Sequence, residues 1–402
     1  HTAWRAHSPD DAAKLTPMTA SPAPRRATAA PAASKRGASP AAVPSSRRAA
    51  TALQRVAVVG AGMAGVVCAR TLMQAGLQVT LFEKSRGFGG RMSTRQSPFG
   101  SFDHGVQYFT VRDPRFERAL ATTPQLVRRW SANAVRVLDE HGRVVEAALP
   151  AREPHWVAVP GMNALVRAWA QPLADVGAVH LQERVWRIER DSRSPRHWQL
   201  RCAAEGASGD AIEKVYAGFD AVLLAVPSVQ ARELLEQSQL APALLDATSQ
   251  VSVAPCWTLM LAFPQAQQPS TLGPQWNAAL STHHRIAWLA RESSKPQRDA
   301  VERWTVQAGA AWSREHLEDD PARVQAKLLK AFAEVTGIHA EPQHVQVHRW
   351  RYAKTDVALG RSHLWDARDR IGLSGDWCLG HRVEHAFVSG LELALRVSGH
   401  KA

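Results

Sequence analysis

The chain has 402 residues, a formal charge of +13 and four cysteines. It holds no apolar run approaching the roughly 20 residues that a membrane helix needs. Cys68, Cys202, Cys256 and Cys378 form no CxxC pair, which argues against a zinc site or redox dithiol and for reduced thiols in a cytoplasmic compartment. The basic residues are not interleaved with aromatics, which argues against a nucleic-acid partner.

Residues 1–54 are mostly Ala, Ser, Pro and Arg, with no acidic residue between Ala12 and Arg55. Such a segment buries too little apolar surface to offset its ordering entropy, so disorder is expected. It accounts for +6 of the charge and leaves the remainder basic, at about +7. Its composition suits either an organelle transit peptide or an extension without a role. It lacks the apolar core of a secretory signal.

From Arg55 an apolar strand runs into Gly60, Gly62 and Gly65, and Glu83 closes a second apolar run that begins at Gln78. This spacing predicts a dinucleotide clamp. Gly60 allows the turn, Gly62 lets a pyrophosphate approach the backbone, Gly65 lets the helix pack, and Glu83 takes ribose hydroxyls. A second glycine turn follows, Lys84-Ser-Arg-Gly-Phe-Gly-Gly-Arg-Met-Ser93, with Arg86 and Arg91 placed for phosphate oxygens. GxGxxG, an acid and then GGR resembles the flavin-binding signature of the amine-oxidase-like superfamily, which implies bound FAD.

About 350 residues remain after the tail, too many for one core. The expected fold is α/β, with a Rossmann-like FAD-binding domain interleaved with a smaller α+β substrate domain. Strand-like, glycine-marked pieces assign 55–110, 156–227 and 345–402 to the first, leaving 111–155 and 228–344 for the second. Asp220-Ala-Val-Leu-Leu-Ala-Val-Pro227 reads as a buried parallel strand cut off by proline. Gln182–Ile188 is a second strand, in which the resemblance gives the Val185 backbone to adenine. Near the C-terminus a strand ends in Gly375-Asp376 and leads to a helix from about Val383, whose partly positive N-terminus is expected at the pyrimidine side of the flavin. The same superfamily resemblance gives Asp376 to the ribityl or pyrophosphate region.

The element Phe102-Asp-His-Gly-Val-Gln-Tyr-Phe109, the stretch Pro160–Leu165, the loop Trp288–Pro296, the stretch His348–Ala353 and the ending from Gly375 to Gly390 occur in this order. With the glycine motifs they resemble bacterial renalase-like FAD-dependent oxidoreductases from Arg55 to the end. The resemblance implies a cofactor set of Gly60, Gly62, Met63, Ala64, Gly65, Glu83, Lys84, Arg86, Gly90, Arg91 and Met92. It adds Asp103, Gln107, Tyr108, Val185, Gly375, Asp376, Val383, Glu384 and Ala386. FAD is expected to be noncovalent, because the sequence around Cys378 departs from known cysteine attachment sites.

The implied activity is oxidation of the 2- and 6-dihydro isomers of NAD(P)H to NAD(P)+, with O2 reduced to H2O2. Hydride transfer needs stacking and orientation more than an acid or base. No metal cluster or catalytic triad stands out, and small molecules with O2 are the only partners expected. Pocket candidates are Gln107, Tyr108, Trp288, Lys295 and Gln307, with Trp312 and Trp350 as further walls. Lys295 lies in a Ser/Pro/Gln-rich loop, which favours a structural or substrate-phosphate role over a lysine holding water at the flavin. Two alternatives stay open: an amine oxidase or desaturase of the same superfamily, and a noncatalytic flavin-carrying binding protein.

Overall fold

The first strand, Arg55–Val59, is apolar on both faces, as a parallel strand covered on both sides must be. In the computed structural model, which describes residues 53–130, 136–146, 153–204, 213–266, 274 and 276–399, it pairs in parallel with Gln78–Glu83 and Ala221–Leu224. The expected disorder of residues 1–54 falls almost entirely outside the described residues. Helix Met63–Gln74 makes the crossover between the first two strands. The completed sheet runs Leu364–Asp366, Ile371–Leu373, Ala221–Leu224, Arg55–Val59, Gln78–Glu83, Val179–Leu181. Only the edge pair, Leu364–Asp366 with Ile371–Leu373, is antiparallel.

Strand alternation divides the core. Val56 and Val58 pack with the helices Met63–Gln74, Asn163–Asp175 and Val383–Ser398. Ala57 and Val59 face the antiparallel sheet Glu183–Arg190, Trp198–Ala204, Lys214–Phe219 and the helices Ser228–Ser238 and Pro242–Thr248. The result is an α/β fold with a Rossmann-like layer.

A seven-stranded sheet forms the second body, in the order His344–Val357, Ser252–Phe263, Glu302–Ala308, Ile286–Arg291, Ala278–Ser281, Arg136–Leu138, Val144–Glu146. Trp257, Leu259, Leu261 and Phe263 on one face, with Trp304 and Val306, bury against helix Pro321–Thr336 through Val324, Leu328 and Phe332. That helix begins where Asp320 accepts N–H bonds from Ala322 and Arg323 and stops at Gly337, in the left-handed region. The opposite face carries the site.

Three segments differ from the expected division, and the first is 114–130, placed with the substrate domain, whose Phe116, Leu120 and Trp130 bury in the core with Val56 and Val58. Strand His344–Val357, placed with the cofactor domain from 345, pairs along its length with Ser252–Phe263, and the chain rejoins the Rossmann-like sheet only at Leu364. Its side chains are mixed polar and apolar and mostly half-buried, unlike the apolar strands of that sheet. Residues 228–248, placed with the substrate domain, put Ala231, Leu234, Leu235 and Leu244 into the core beneath Val59, Phe82 and Leu224. Their helical apolar stripe fits either body, and adjacency to the strand Ala221–Leu224 decides it.

Candidate active site

The two glycine turns stack on each other. Gly62 and Gly89 form a parallel bridge, and Gly89 N–H donates to the Ala61 carbonyl at 3.0 Å. A Cβ on Gly65 would lie 1.8 Å from the Gly60 oxygen, whereas one on Gly62 would meet nothing within 4 Å. The first glycine therefore serves packing and the second leaves open space at a helix N-terminus that no side chain caps. An uncapped N-terminus beside open space is the cradle a pyrophosphate fits. Glu83 is buried at the same turn, its Oε2 accepting Ala61 N–H at 2.7 Å and its Oε1 accepting Ser85 N–H at 2.8 Å. Lys84, Arg86 and Gly90 are exposed, Met63, Ala64 and Met92 are buried, and Val185 sits at a bulge of its strand.

Arg91 and Asp376 meet. Arg91 Nη2 lies 2.5 Å from Asp376 Oδ1 and Nη1 lies 3.0 Å from Oδ2, while Nη1 also donates to Ala353 O at 3.2 Å. The arginine expected to clamp phosphate thus has its fork closed on the aspartate. Gly375 donates its N–H to Ser389 Oγ at 2.9 Å, and helix Val383–Ser398 starts without a side-chain cap, leaving its first amides for a ligand. The Glu384 side chain is engaged within the protein, its Oε2 accepting the N–H groups of Arg112 and Asp113 at the start of helix Pro114–Ala121, while its backbone N–H is among those first amides. Val383 is buried and Ala386 half-buried in the first turn.

Loop 103–108 lies on the second glycine turn. Val106 N–H donates to Arg91 O at 2.9 Å, and a Cβ on Gly105 would fall 2.1 Å from that same oxygen. The Gly105 carbonyl accepts Gln107 Nε2 at 3.2 Å and Gln307 Nε2 at 2.7 Å, and the His104 carbonyl accepts Trp350 Nε1 at 2.9 Å. Trp288, Gln307, Thr258 and His348 are direct cross-strand partners, so they form one row on one face of the seven-stranded sheet. The Tyr108 ring centroid lies 4.1 Å from that of His155, 5.7 Å from Trp288 and 6.5 Å from Trp130.

Three sequence candidates turn out differently. Trp312 packs on the far face, in the core with Trp257 and Val306, because its short helix Ala310–Glu315 turns the chain over the sheet edge. Asp103 is fully buried and accepts Thr94 Oγ1 at 2.8 Å, Met162 N–H at 2.9 Å and Arg298 Nη2 at 2.6 Å, so it supports the loop from behind. Lys295, a pocket candidate, is instead fully buried among Asp103, Gln107 and Glu292. No local pattern marked His155, Trp130 or Arg298 as neighbours of this site.

Burial sets the charge state here. Burial, with the nearby His348 and Arg95, lowers His104 to about 3, and burial with Arg95 lowers His348 to about 4. Burial also lowers His155 and raises Tyr108. Burial alone would raise Asp103, but Lys295 and Arg298 outweigh it and hold the carboxyl at about 2. These imidazoles and this phenol are therefore neutral at pH 7.

Residues 145–398 match the family of flavin-containing amine oxidoreductases, and residues 58–123 match an NAD(P)-binding Rossmann-like domain. The chain belongs to the flavin-containing amine oxidoreductase family. It is similar to hydroxyneurosporene desaturase of Cereibacter sphaeroides, 38% identical over 88 residues, 19% of this chain and 18% of the relative. It is also similar to a 4,4'-diapophytoene desaturase of Staphylococcus haemolyticus, 45% identical over 58 residues, 14% of this chain and 12% of the relative. The matches thus span less than a fifth of these curated relatives. Among solved structures, putrescine oxidase bound to putrescine superposes with a TM-score of 0.64 at 13% identity, covering 86% of this chain and 99% of that one. Cyclohexylamine oxidase from Brevibacterium oxydans gives 0.61 at 14% identity, covering 86% and 99%. These likenesses show the fold.

The protein is an FAD-dependent oxidoreductase. FAD, when bound, accepts a hydride and passes the electron pair on. The residues that would hold it are the glycine turns, Glu83, the Arg91–Asp376 pair and the uncapped start of helix Val383–Ser398. Cys378 is buried, and burial pushes its thiol up to about 12, which suits noncovalent binding. No helix among the described residues is long and apolar enough to cross a membrane.

Proposed function

We propose that this chain is an FAD-dependent oxidase of the renalase type, taking hydride from the 2- and 6-dihydro isomers of NAD(P)H. One reduced nucleotide, one proton and one O2 become NAD(P)+ and one H2O2. The observation that carries the reading is the grouping of Tyr108, His155 and Trp288 beside Gln107 and Gln307, with the imidazole and phenol neutral. Aromatic planes suit a nicotinamide ring, and a dihydronicotinamide gives up hydride without first losing a proton. The basic body, about +7 beyond the tail, favours an anionic nucleotide. A cytoplasmic location agrees with four cysteines outside any disulfide.

The second reading is an amine oxidase or desaturase, favoured by the local similarity to two desaturases. Anaerobic rapid mixing separates the two. Fast flavin bleaching is expected with the 2- or 6-dihydro isomers and slow bleaching with ordinary NADH or with amines. Prompt bleaching by an amine and by no dihydronicotinamide would overturn the proposal.

A further inference from the structure

Lys295 and Glu292 flank a single turn of 3-10 helix after strand Ile286–Arg291, and Arg298 follows at the next bend. These three side chains and Asp103 have no exposed surface. Four charged groups without water are tolerable only if the charges balance and the donors and acceptors are matched.

Most of their polar atoms are matched, with Glu292 Oε2 and Arg298 Nε left without a partner. A lysine ammonium has three N–H donors. Lys295 Nζ has acceptors in Glu292 Oε1 at 3.0 Å, Gln107 Oε1 at 3.3 Å and Asp103 Oδ2 at 3.4 Å, and the Trp130 ring covers it at 5.4 Å. A carboxylate has about four lone-pair sites, and Asp103 has four donors: Thr94, Met162, Arg298 and Lys295. Glu292 Oε1 also accepts Thr305 Oγ1 at 2.7 Å, and Arg298 donates to Ala158 O at 2.9 Å. Lys295 and Arg298 face the carboxyls of Asp103 and Glu292, burial pushing the Glu292 carboxyl up against the pull of Lys295, and the lysine has no donor left for a substrate or a water at the flavin.

The network reaches the site through Asp103, which opens loop 103–108, and through Gln107. With Gln107 Oε1 held by Lys295, its amide nitrogen turns to the carbonyls of Asp103 and Gly105. Gly105 and Val106 in turn abut the Arg91 backbone in the second glycine turn.

We propose that Lys295 is a positioning residue, the centre of a buried quartet with Asp103, Glu292 and Arg298 that fixes loop 103–108 against the FAD-binding glycine turn through Asp103 and Gln107. This role is independent of which reductant the enzyme oxidises. It makes Lys295 and Glu292 a coupled pair. Removing the lysine leaves an excess buried negative charge, whereas removing both charges leaves the set neutral.

The test uses the full chain, reconstituted with FAD, as Lys295→Met, Glu292→Gln, the double variant and Gln107→Leu. FAD dissociation constants, the visible flavin spectrum and the rate of reoxidation by O2 after dithionite reduction are measured for each. Lys295→Met is expected to weaken FAD binding about tenfold or more and to shift the flavin bands. Adding Glu292→Gln should recover most of that loss. Gln107→Leu, with the quartet intact, should reproduce the band shift, which keeps the test decisive if Lys295→Met fails to fold. Slow reoxidation in Lys295→Met with wild-type FAD affinity and spectrum, unrelieved in the double variant, would overturn the proposal and place the lysine at the reacting atoms. An unchanged spectrum in Gln107→Leu would overturn the link through Gln107.

Discussion

Arg91 and Asp376, 285 residues apart in the chain, face each other as a two-point pair, with 2.5 Å between Nη2 and Oδ1 and 3.0 Å between Nη1 and Oδ2. The pair ties the second glycine turn to the strand end that precedes the C-terminal helix. Asp376 is nearly buried and Arg91 partly exposed. Asp376→Ala is therefore expected to weaken FAD binding by about 2 kcal/mol, roughly thirtyfold, while Arg91→Lys, which keeps charge but loses the fork, should give about half of that. Fluorescence titration of the apoprotein with FAD checks both, and equal affinity in all three proteins would remove the pair from the cofactor site.

The glycines of the first turn separate folding from binding. Gly65→Ala places a Cβ 1.8 Å from a backbone oxygen and should destabilise the protein by about 2–4 kcal/mol. Gly62→Ala meets no protein atom within 4 Å, so the apoprotein should melt near the wild-type temperature. Its FAD affinity should nevertheless fall, because the methyl occupies space left for the pyrophosphate. Thermal melts with and without FAD test this, and Gly62→Ala with wild-type affinity would show that the phosphates lie elsewhere.

His104 and His348 make stability fall with mild acid. Their folded values of about 3 and about 4 lie below the ordinary 6.5. Between those limits the unfolded chain binds more protons, so their contribution is complete above about pH 6.5 and is lost as pH drops toward 4. For the well-buried His104 the slope is at most about 1.4 kcal/mol per pH unit. Asp103, held at about 2, keeps its contribution whole above about pH 4 and loses it only below that. Urea unfolding at pH 7.5, 6 and 5 should therefore show a decline that is shallower in His104→Phe. Identical slopes in the two proteins would mean that His104 is not buried neutral.

Trp288 and Trp312 have comparable burial but opposite assignments. Trp288 lies in the row with Gln307 and near Tyr108, and Trp312 lies in the core beneath helix Pro321–Thr336. Trp312→Ala should lower stability by about 3–5 kcal/mol. In the protein that remains folded, anaerobic flavin reduction should keep its rate. Trp288→Ala should slow that reduction about tenfold or raise its half-saturating reductant concentration, at unchanged FAD content. The reverse pattern would exchange the two faces of the sheet.

Strand, turn, helix, strand and Glu83 lie within about thirty consecutive residues, and their geometry follows from glycine stereochemistry and chain connectivity alone. The glycine clamp, the buried strand Ala221–Leu224 and the helix after Gly375-Asp376 were legible for that reason. Other features depended on separate segments meeting. The sequence marked Trp288 and Trp312 alike as possible pocket walls, but not which face of the sheet would meet loop 103–108, so the two were equivalent until the sheet was packed. Glu384 stood in the expected ligand helix, yet the nearby amides of Arg112 and Asp113 captured its carboxylate. The boundary at 345 failed because pairing with Ser252–Phe263, a long-range choice, outweighed position in the chain. Local spacing encodes turns and cradles through covalent geometry, whereas charge balance, face selection and the closing of Arg91 on Asp376 are properties of the packed interior alone.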